Sequence, residues 1–257
     1  MSTRGGAEKR VAKHTTDGGP DPVDAKFASG LNGEAPLSHN LAGQKLGRKG
    51  RHTRERILAA TAELLADESN EPLSLSAVAR RANLGMTSLY NYFTDLTELL
   101  LAVLEPVMAS AEEGWLALLR ERWADEDLGA HCDKFMEAYH AFWSRHARLL
   151  HLRNAMADAG DRRMKLHRVH ATRPVIGWMV RQMDADPLSA HPDVTGMATV
   201  LITGTERVVT VSTDVELTDL FRTGRRHPAA YYLGPTSRLM EMAIRDMRAR
   251  NAPDAAA

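Results

Sequence analysis

The sequence predicts an all-α protein: a three-helix N-terminal head containing a helix-turn-helix, followed by a larger helical domain. Three observations carry that prediction. Apolar residues recur every three or four positions along most of the chain beyond residue 53, and no stretch shows the two-residue alternation of a half-buried strand. The stretch 75–93, LSAVARRANLGMTSLYNYF, divides into two short helices around an Asn-containing reversal. The 257 residues are 44% hydrophobic and 26% charged, enough for one large or two small domains with a real core.

Taken in order, residues 1–50 are rich in Gly, Ala, Ser, Asp and Lys and read as a disordered extension. Its far end is basic: Lys45, Arg48, Lys49, Arg51, Arg54 and Arg56 are opposed only by Glu55. A helix is expected over 53–68, capped by Thr53, with Ile57, Leu58, Thr61, Leu64 and Leu65 on one face. Glu71 and Pro72 mark a turn, and Ser74 caps the next helix, whose inner face is Leu75, Val78, Ala79 and Ala82. Asn83 sits where the chain must reverse through a left-handed backbone, and Gly85 can open the following helix. Leu89 with Tyr92 or Phe93 anchors that helix inward.

The next helix opens at Thr94, with Asp95 and Glu98 suited to its positive end and Leu96, Leu99, Leu100, Val103 and Leu104 on its face. Pro106 is expected to bend or end it. Further helices are expected near 107–123, 129–144, 146–158, 161–184, 193–213 and 235–250. Pro174 should kink or divide the fourth of these, and 214–234 reads as a long, mobile connection. The domain boundaries that follow are 1–50 for the extension, 51–98 for the head and 99–257 for the helical remainder.

The second half of the helix-turn-helix leaves Met86, Thr87, Ser88, Tyr90 and Asn91 facing outward. Thr, Ser, Asn and Tyr can bond base edges or phosphates, and Met can touch a thymine methyl. No Asp or Glu occurs from Pro72 through Thr94, so nothing there repels phosphate. The basic arm adjoins this unit, and Arg48, Lys49 and Arg51 are expected to lie along phosphates or in the minor groove. Net charge is zero, with 33 basic and 33 acidic residues, so the nucleic-acid signal is local. One cysteine, Cys132, excludes an intrachain disulfide and fits a reducing cytoplasm. No signal peptide is visible, and no apolar run approaches the ~20 residues of a membrane span.

The segment 53–104 resembles the tetracycline-repressor (TetR) family of transcriptional regulators. TRERILAATAELLADE, LSLSAVARRANL, SLYNYF and TELL carry the resemblance, the LY-x-YF run most strongly. It implies a homodimer with a small DNA-binding head and a divergent, helical effector-binding and dimerisation domain over 99–257, in which ligand entry releases DNA. It further implies that Tyr90 and Tyr92 contact phosphates. Met86, Thr87, Ser88 and Asn91 fall where base-reading or backbone-contacting side chains sit, and Ser76 where a base reader is sometimes found. The chain departs from the family pattern at Asn83, where Gly is usual, at Gly85, where Ser or Thr is usual, and at Leu96, where a phosphate-binding Lys is usual.

In the remainder of the chain Trp115, Trp123, Phe135, Met136, Tyr139, Phe142, Trp143, Met156, Trp178, Met179 and Met183 are large, soft side chains. Trp115, Phe135, Tyr139, Phe142, Trp143, Met156 and Trp178 are the candidates for an apolar effector pocket, against the alternative that each is simply core. Arg153 and Arg207 could meet an acidic group. A dimer surface is expected from 193–213 and 235–250: Met197, Val200, Leu201 and Gly204 on the first, Leu239, Met240, Ala243, Ile244 and Met247 on the second. His167 and His170 share a helical face, but no tighter ligand constellation accompanies them, and no metal site is assigned. No G-x-x-x-x-G-K loop, G-x-S-x-G elbow or dinucleotide fingerprint occurs, and no catalytic residue or cofactor is assigned.

The reading is a ligand-responsive, DNA-binding regulator and not an enzyme. It is expected in the cytoplasm as a homodimer, a repressor released from double-stranded operator DNA by a small, largely apolar effector. The alternative is a helical adaptor or enzyme carrying a helix-turn-helix head.

Overall fold

In the computed structural model, residues 47–67, 72–215 and 229–252 are described, and all their regular structure is helical. The expected extension therefore lies almost wholly outside the described residues, as does most of the 214–234 connection. The chain forms two units, Met1–Arg51 and His52–Ala257. Only residues 47–51 of the first are described, in the opening turn of helix α1 (Arg48–Ala66), with Arg48, Lys49 and Arg51 exposed.

Within the second unit, α1 buries Ile57, Ala60 and Thr61. Thr61 fits an apolar face because its hydroxyl bonds back to the Ile57 carbonyl at 2.8 Å. Thr53 is not the cap expected of it, since the helix already runs from Arg48. Helix α2 (Leu75–Arg81) starts at Ser74, whose Oγ accepts from the Ala77 N–H at 3.2 Å. Asn83 has φ of 51°, the left-handed value foreseen for the reversal. Helix α3 (Met86–Tyr90) follows from Gly85. Its buried anchors are Leu89 and Phe93, which meet Ile57, Val78, Ala79 and Ala82 in one small core. The alanines matter because their short side chains let α2 and α3 approach closely.

Helix α4 (Leu96–Glu113) is capped by Asp95 rather than Thr94. The Asp95 carboxylate accepts from the Glu98 N–H at 2.9 Å, and the Glu98 carboxylate turns back to the Thr94 N–H at 2.7 Å. Pro106 neither ends the helix nor divides it. A proline removes one N–H, and here the apolar face continues past it to Ala111, buried in the next core. One rod thus leaves the head and enters the larger domain. The expected helix over 107–123 does not exist: 107–113 belong to α4, and Trp115–Leu119 form a 3-10 turn beyond Gly114.

The larger domain continues with α5 (Leu128–Arg145), α6 (Ala147–Asp158), α7 (Arg162–Gln182), α8 (Pro192–Thr213) and α9 (Ala229–Asn251). Pro174 lies inside an undivided α7, and Pro235 inside α9, which starts six residues before it. The core gathers Trp115, Phe135, Met136, Trp143, Met179, Ile244 and Met247 among others. One elaborate polar element within it is centred on Gln182. The side-chain oxygen accepts from the Trp123 N–H at 2.9 Å, and its amide nitrogen donates to the Leu119 and Glu121 carbonyls at 3.0 and 2.6 Å. Arg248 from α9 donates to the Gln182 carbonyl at 2.7 Å and to Asp125 at 2.5 Å. The chain between the 3-10 turn and α5 is thereby fixed without secondary structure of its own.

The expected dimer surface needs correction. Leu201, Met240, Ala243, Ile244 and Met247 are at most 8% exposed and belong to the chain's own core. The apolar stripe on α9 faces α5 and α8 of the same chain. Met197 is half-buried, and Val200, Gly204 and Leu239 are exposed.

Candidate nucleic-acid interface

The head presents α3 on a frame of packed side chains. With Leu89 and Phe93 at 0% and 1% exposure, the helix cannot roll, and Thr87, Ser88, Tyr90 and Asn91 are held outward. Ser76, on α2, is also exposed, its Oγ 3.0 Å from that of Ser74. Two of the candidate residues sit differently from the expectation. Met86 is half-buried and packs on the head core, as does Tyr92. Both follow from geometry: Met86 lies one helical turn before Leu89, and Tyr92 precedes the buried Phe93.

Two arginines of the basic arm are structural. Arg56 donates to the carbonyls of Ala82 and Asn83 at 2.5 and 3.3 Å. These are the carbonyls freed where α2 ends, so Arg56 locks the reversal from behind. Arg54 lays its guanidinium over the Phe93 ring, 5.3 Å from its centroid. Burial pulls the Arg54 pKa below its usual value, against the opposing pull of Glu105 and Glu98. No local pattern could reveal either role, since the partners lie 26 or more residues away.

Beside the packing of Leu65, Leu73 and Leu96 on the larger core, polar contacts of Arg148, Arg163 and Asp161 bind the head to the larger domain. Arg148 at the start of α6 donates to the Leu64 and Asp67 carbonyls at 2.6 and 2.7 Å, capping the end of α1. Arg163 reaches Asp95 at 2.8 Å, and the Thr97 hydroxyl donates to Asp161 at 2.6 Å. The Thr97 hydrogen bond, with the Met164 N–H, holds the Asp161 carboxyl below the usual carboxylate range. A cleft of about 290 Å³ lies beside the Arg148 contact, lined by Leu64, Leu73, Arg80 and Arg81 among others.

Of the effector candidates, the structure gathers Trp115, Tyr139, Phe142 and Trp143 around a small cavity of about 30 Å³. Trp115 and Tyr139 meet edge to face at 4.5 Å, with Phe135 stacked behind Tyr139 at 5.9 Å. Met156 and Trp178 are not in that lining, and Trp178 lies beneath the Arg181 guanidinium, 4.4 Å away. The lining also contains a buried ion pair that sequence inspection did not foresee, Arg153 with Glu206 at 3.0 Å. Arg207, the other arginine considered, is exposed.

Among the described residues no group of three or more His, Cys, Asp or Glu is placed to hold a metal ion. Burial, with Arg153 and His170 adding to it, lowers the His167 pKa to about 4. Burial pushes the Cys132 thiol up to about 12, and Glu241 and Asp133 reinforce the shift. No helix among the described residues is long and apolar enough to cross a membrane.

Residues 57–103 match the family described as bacterial regulatory proteins, tetR family. No curated protein matches the chain. Among solved structures, a tetR-family transcriptional regulator from Streptomyces coelicolor is similar over 76% of this chain and 81% of its own, at 15% identity and a TM-score of 0.50. A transcriptional regulator (TerR/AcrR family) from Aquifex aeolicus VF5 is covered over 99% of its length by 76% of this chain, at 12% identity and a TM-score of 0.44. The matched residues run from the buried Ile57 of α1 to Val103 of α4, which is the whole of the packed head. The head, residues 57–103, is thus a domain of the kind described for bacterial regulatory proteins of the tetR family, and the solved regulators share the helical fold.

Proposed function

We propose that the chain acts as a homodimeric repressor, released from its operator by a small, largely apolar effector that enters the larger domain. One observation carries the DNA-reading half: Thr87, Ser88, Tyr90 and Asn91 stand exposed on a rigidly anchored helix, in a stretch without a single carboxylate. Ser76 and the half-buried Met86 and Tyr92 border them, and Arg48, Lys49 and Arg51 supply phosphate contacts from the arm. Recognition helices of a dimer reach successive major grooves when they lie about 34–36 Å apart. An effector that prefers another spacing lowers DNA affinity by its differential binding to the two states.

The dimer reading is supported by what α8 and α9 leave outside. Val200, Leu239 and Met242 are 69%, 58% and 55% exposed. A Cβ added at Gly196 or Gly204 would meet nothing within 4 Å, so a second helix has room to come close on that side. Val200→Arg should lower the sedimentation mass toward that of a monomer, and a persistent dimer would remove this surface.

The test of the DNA reading is selection of bound duplexes from a random library by the full chain. Inverted-repeat half-sites are expected, and they should vanish when Thr87, Ser88 and Asn91 are all changed to Ala. Equal enrichment by the wild type and the triple variant would overturn the assignment of α3.

A further inference from the structure

The cavity in the larger domain carries information about the chemistry of what enters it. Three of its features bear on a guest. The first is the aromatic wall of Trp115, Tyr139, Phe142 and Trp143, drawn from the 3-10 turn and α5. The second is the Arg153–Glu206 pair, whose side chains are only 5% and 16% exposed. The Glu206 oxygen that meets Arg153 also accepts from Asn154 at 3.2 Å. The third is the Trp115 indole N–H: the residue is 6% exposed, and Nε1 is buried with no acceptor among the described residues.

Each feature constrains a ligand differently. An aromatic wall favours a flat, aromatic body, because stacked and edge-on ring contacts add to simple burial. The ion pair already cancels its own charge in a largely buried setting. A charged guest would have to take Arg153 from Glu206, or the reverse, and leave the deserted partner buried and uncompensated. Tyr139 offers no charge either, since burial and the nearby Glu206 raise its phenol pKa and keep it protonated. The indole N–H is a buried donor that gains by finding an acceptor.

We propose that the effector is an uncharged, flat aromatic compound carrying a hydrogen-bond acceptor, held in this cavity with the acceptor on the Trp115 N–H. The proposal rests on the effector reading above and specifies its chemistry. At about 30 Å³ the cavity must widen to admit such a compound, and its walls are built to yield. Met108, in the lining, follows Pro106 of α4 by two residues, and Thr172 and Val175 flank Pro174 of α7. Each proline lacks the N–H that would tie its turn to the preceding one, so both helices bend most readily beside the cavity. Bending α4 at Pro106 displaces the segment whose Leu99 is part of the head core, and that links the guest to DNA.

The test uses four probes of nearly the same shape. Flavone is uncharged and has a ketone acceptor. 2-Phenylnaphthalene lacks the acceptor, N-methyl-2-phenylquinolinium is a cation, and 2-phenylquinoline-4-carboxylate is an anion. Equilibrium dialysis against the full chain should show flavone binding about tenfold or more tightly than any of the other three. Trp115→Phe should lower flavone affinity about tenfold and leave 2-phenylnaphthalene unchanged. The wild-type ranking stands by itself even if the variant folds poorly. Absence of saturable flavone binding, or an ion or the hydrocarbon binding as tightly as flavone, would overturn the proposal. An ionic probe that binds tightly and also releases selected DNA would keep the effector reading while sinking the uncharged class, so the two can fail separately.

Discussion

The head and the larger domain are both helical, yet they are held together in different ways. The head core is eight buried apolar side chains with the buried Thr61 beside them, its hydroxyl satisfied inside its own helix. The larger domain has over three times as many buried apolar residues, and it also buries Arg153, Gln182, Thr205 and Arg248. A core as small as the head's has no redundancy, so each large side chain carries a big share of its stability. A core with buried polar hubs is tied instead by bonds that cost heavily when one partner is removed. The comparison is open to measurement because all four tryptophans, at 115, 123, 143 and 178, lie in the larger domain. Tryptophan emission therefore reports that domain alone, while DNA binding reports the head.

The largest expected effect is in the head. Phe93→Ala removes a fully buried ring and should cost about 3–5 kcal/mol. DNA binding should be lost at temperatures where tryptophan emission is still native. If both signals fail together, the two cores unfold as one and the contrast collapses. Next comes Gln182→Leu, nearly equal in size but unable to hydrogen bond. It leaves the Trp123 N–H and the Leu119 and Glu121 carbonyls without their partner and should cost about 3 kcal/mol, read as a lower urea midpoint of tryptophan emission. An unchanged midpoint would show that the polar hub is ornamental.

What was readable in the sequence divides along the same line. Ser74, Asn83 and Leu89 could be given their roles in advance because cap, reversal and anchor are set by neighbours within a few residues. Arg56 could not, since its acceptors lie on another helix, and it read as one more charge in a basic run. Pro106 was misleading for a related reason. Its effect depends on whether the apolar face continues past it into a core, which only the fold decides. On α9 the spacing of Met240, Ile244 and Met247 gave the buried face correctly but not its occupant. A stripe of that period fits the chain's own core and a second copy equally well. The Arg153–Glu206 pair, 53 residues apart, had no signature at all.

Two smaller effects sharpen the comparison. Folding lowers the His167 pKa from 6.5 to about 4, mainly by burial, so the unfolded chain binds the extra proton between those values. Stability of the larger domain is thus full above about pH 6.5 and falls as pH drops toward 4, by about 1 kcal/mol at pH 5 after allowance for solvent screening. The urea midpoint of tryptophan emission should show that fall, and His167→Gln should flatten it. A variant with the same pH profile as the wild type would assign the fall elsewhere. Smallest is Tyr90→Phe, which should weaken binding to a selected duplex by about 1 kcal/mol through one lost hydrogen bond, with both unfolding signals unmoved. A gel-shift titration showing equal affinity would take the phenol out of the contact.

The polar contacts between head and larger domain have a mechanical meaning. Arg148 grips the far end of α1, and Asp95 and Thr97 are gripped by Arg163 and Asp161 at the start of α4. With α4 running unbroken between the two and Leu65, Leu73 and Leu96 packed on the larger core, the head can move only by a small tilt between these fastenings. The two fastenings belong to different helices, α6 and α7. Sliding α6 against α7 by a fraction of a turn would therefore be converted into a tilt of α3, with the head itself undeformed. The small core then need only be rigid, because a change of its tilt can be generated in the larger domain.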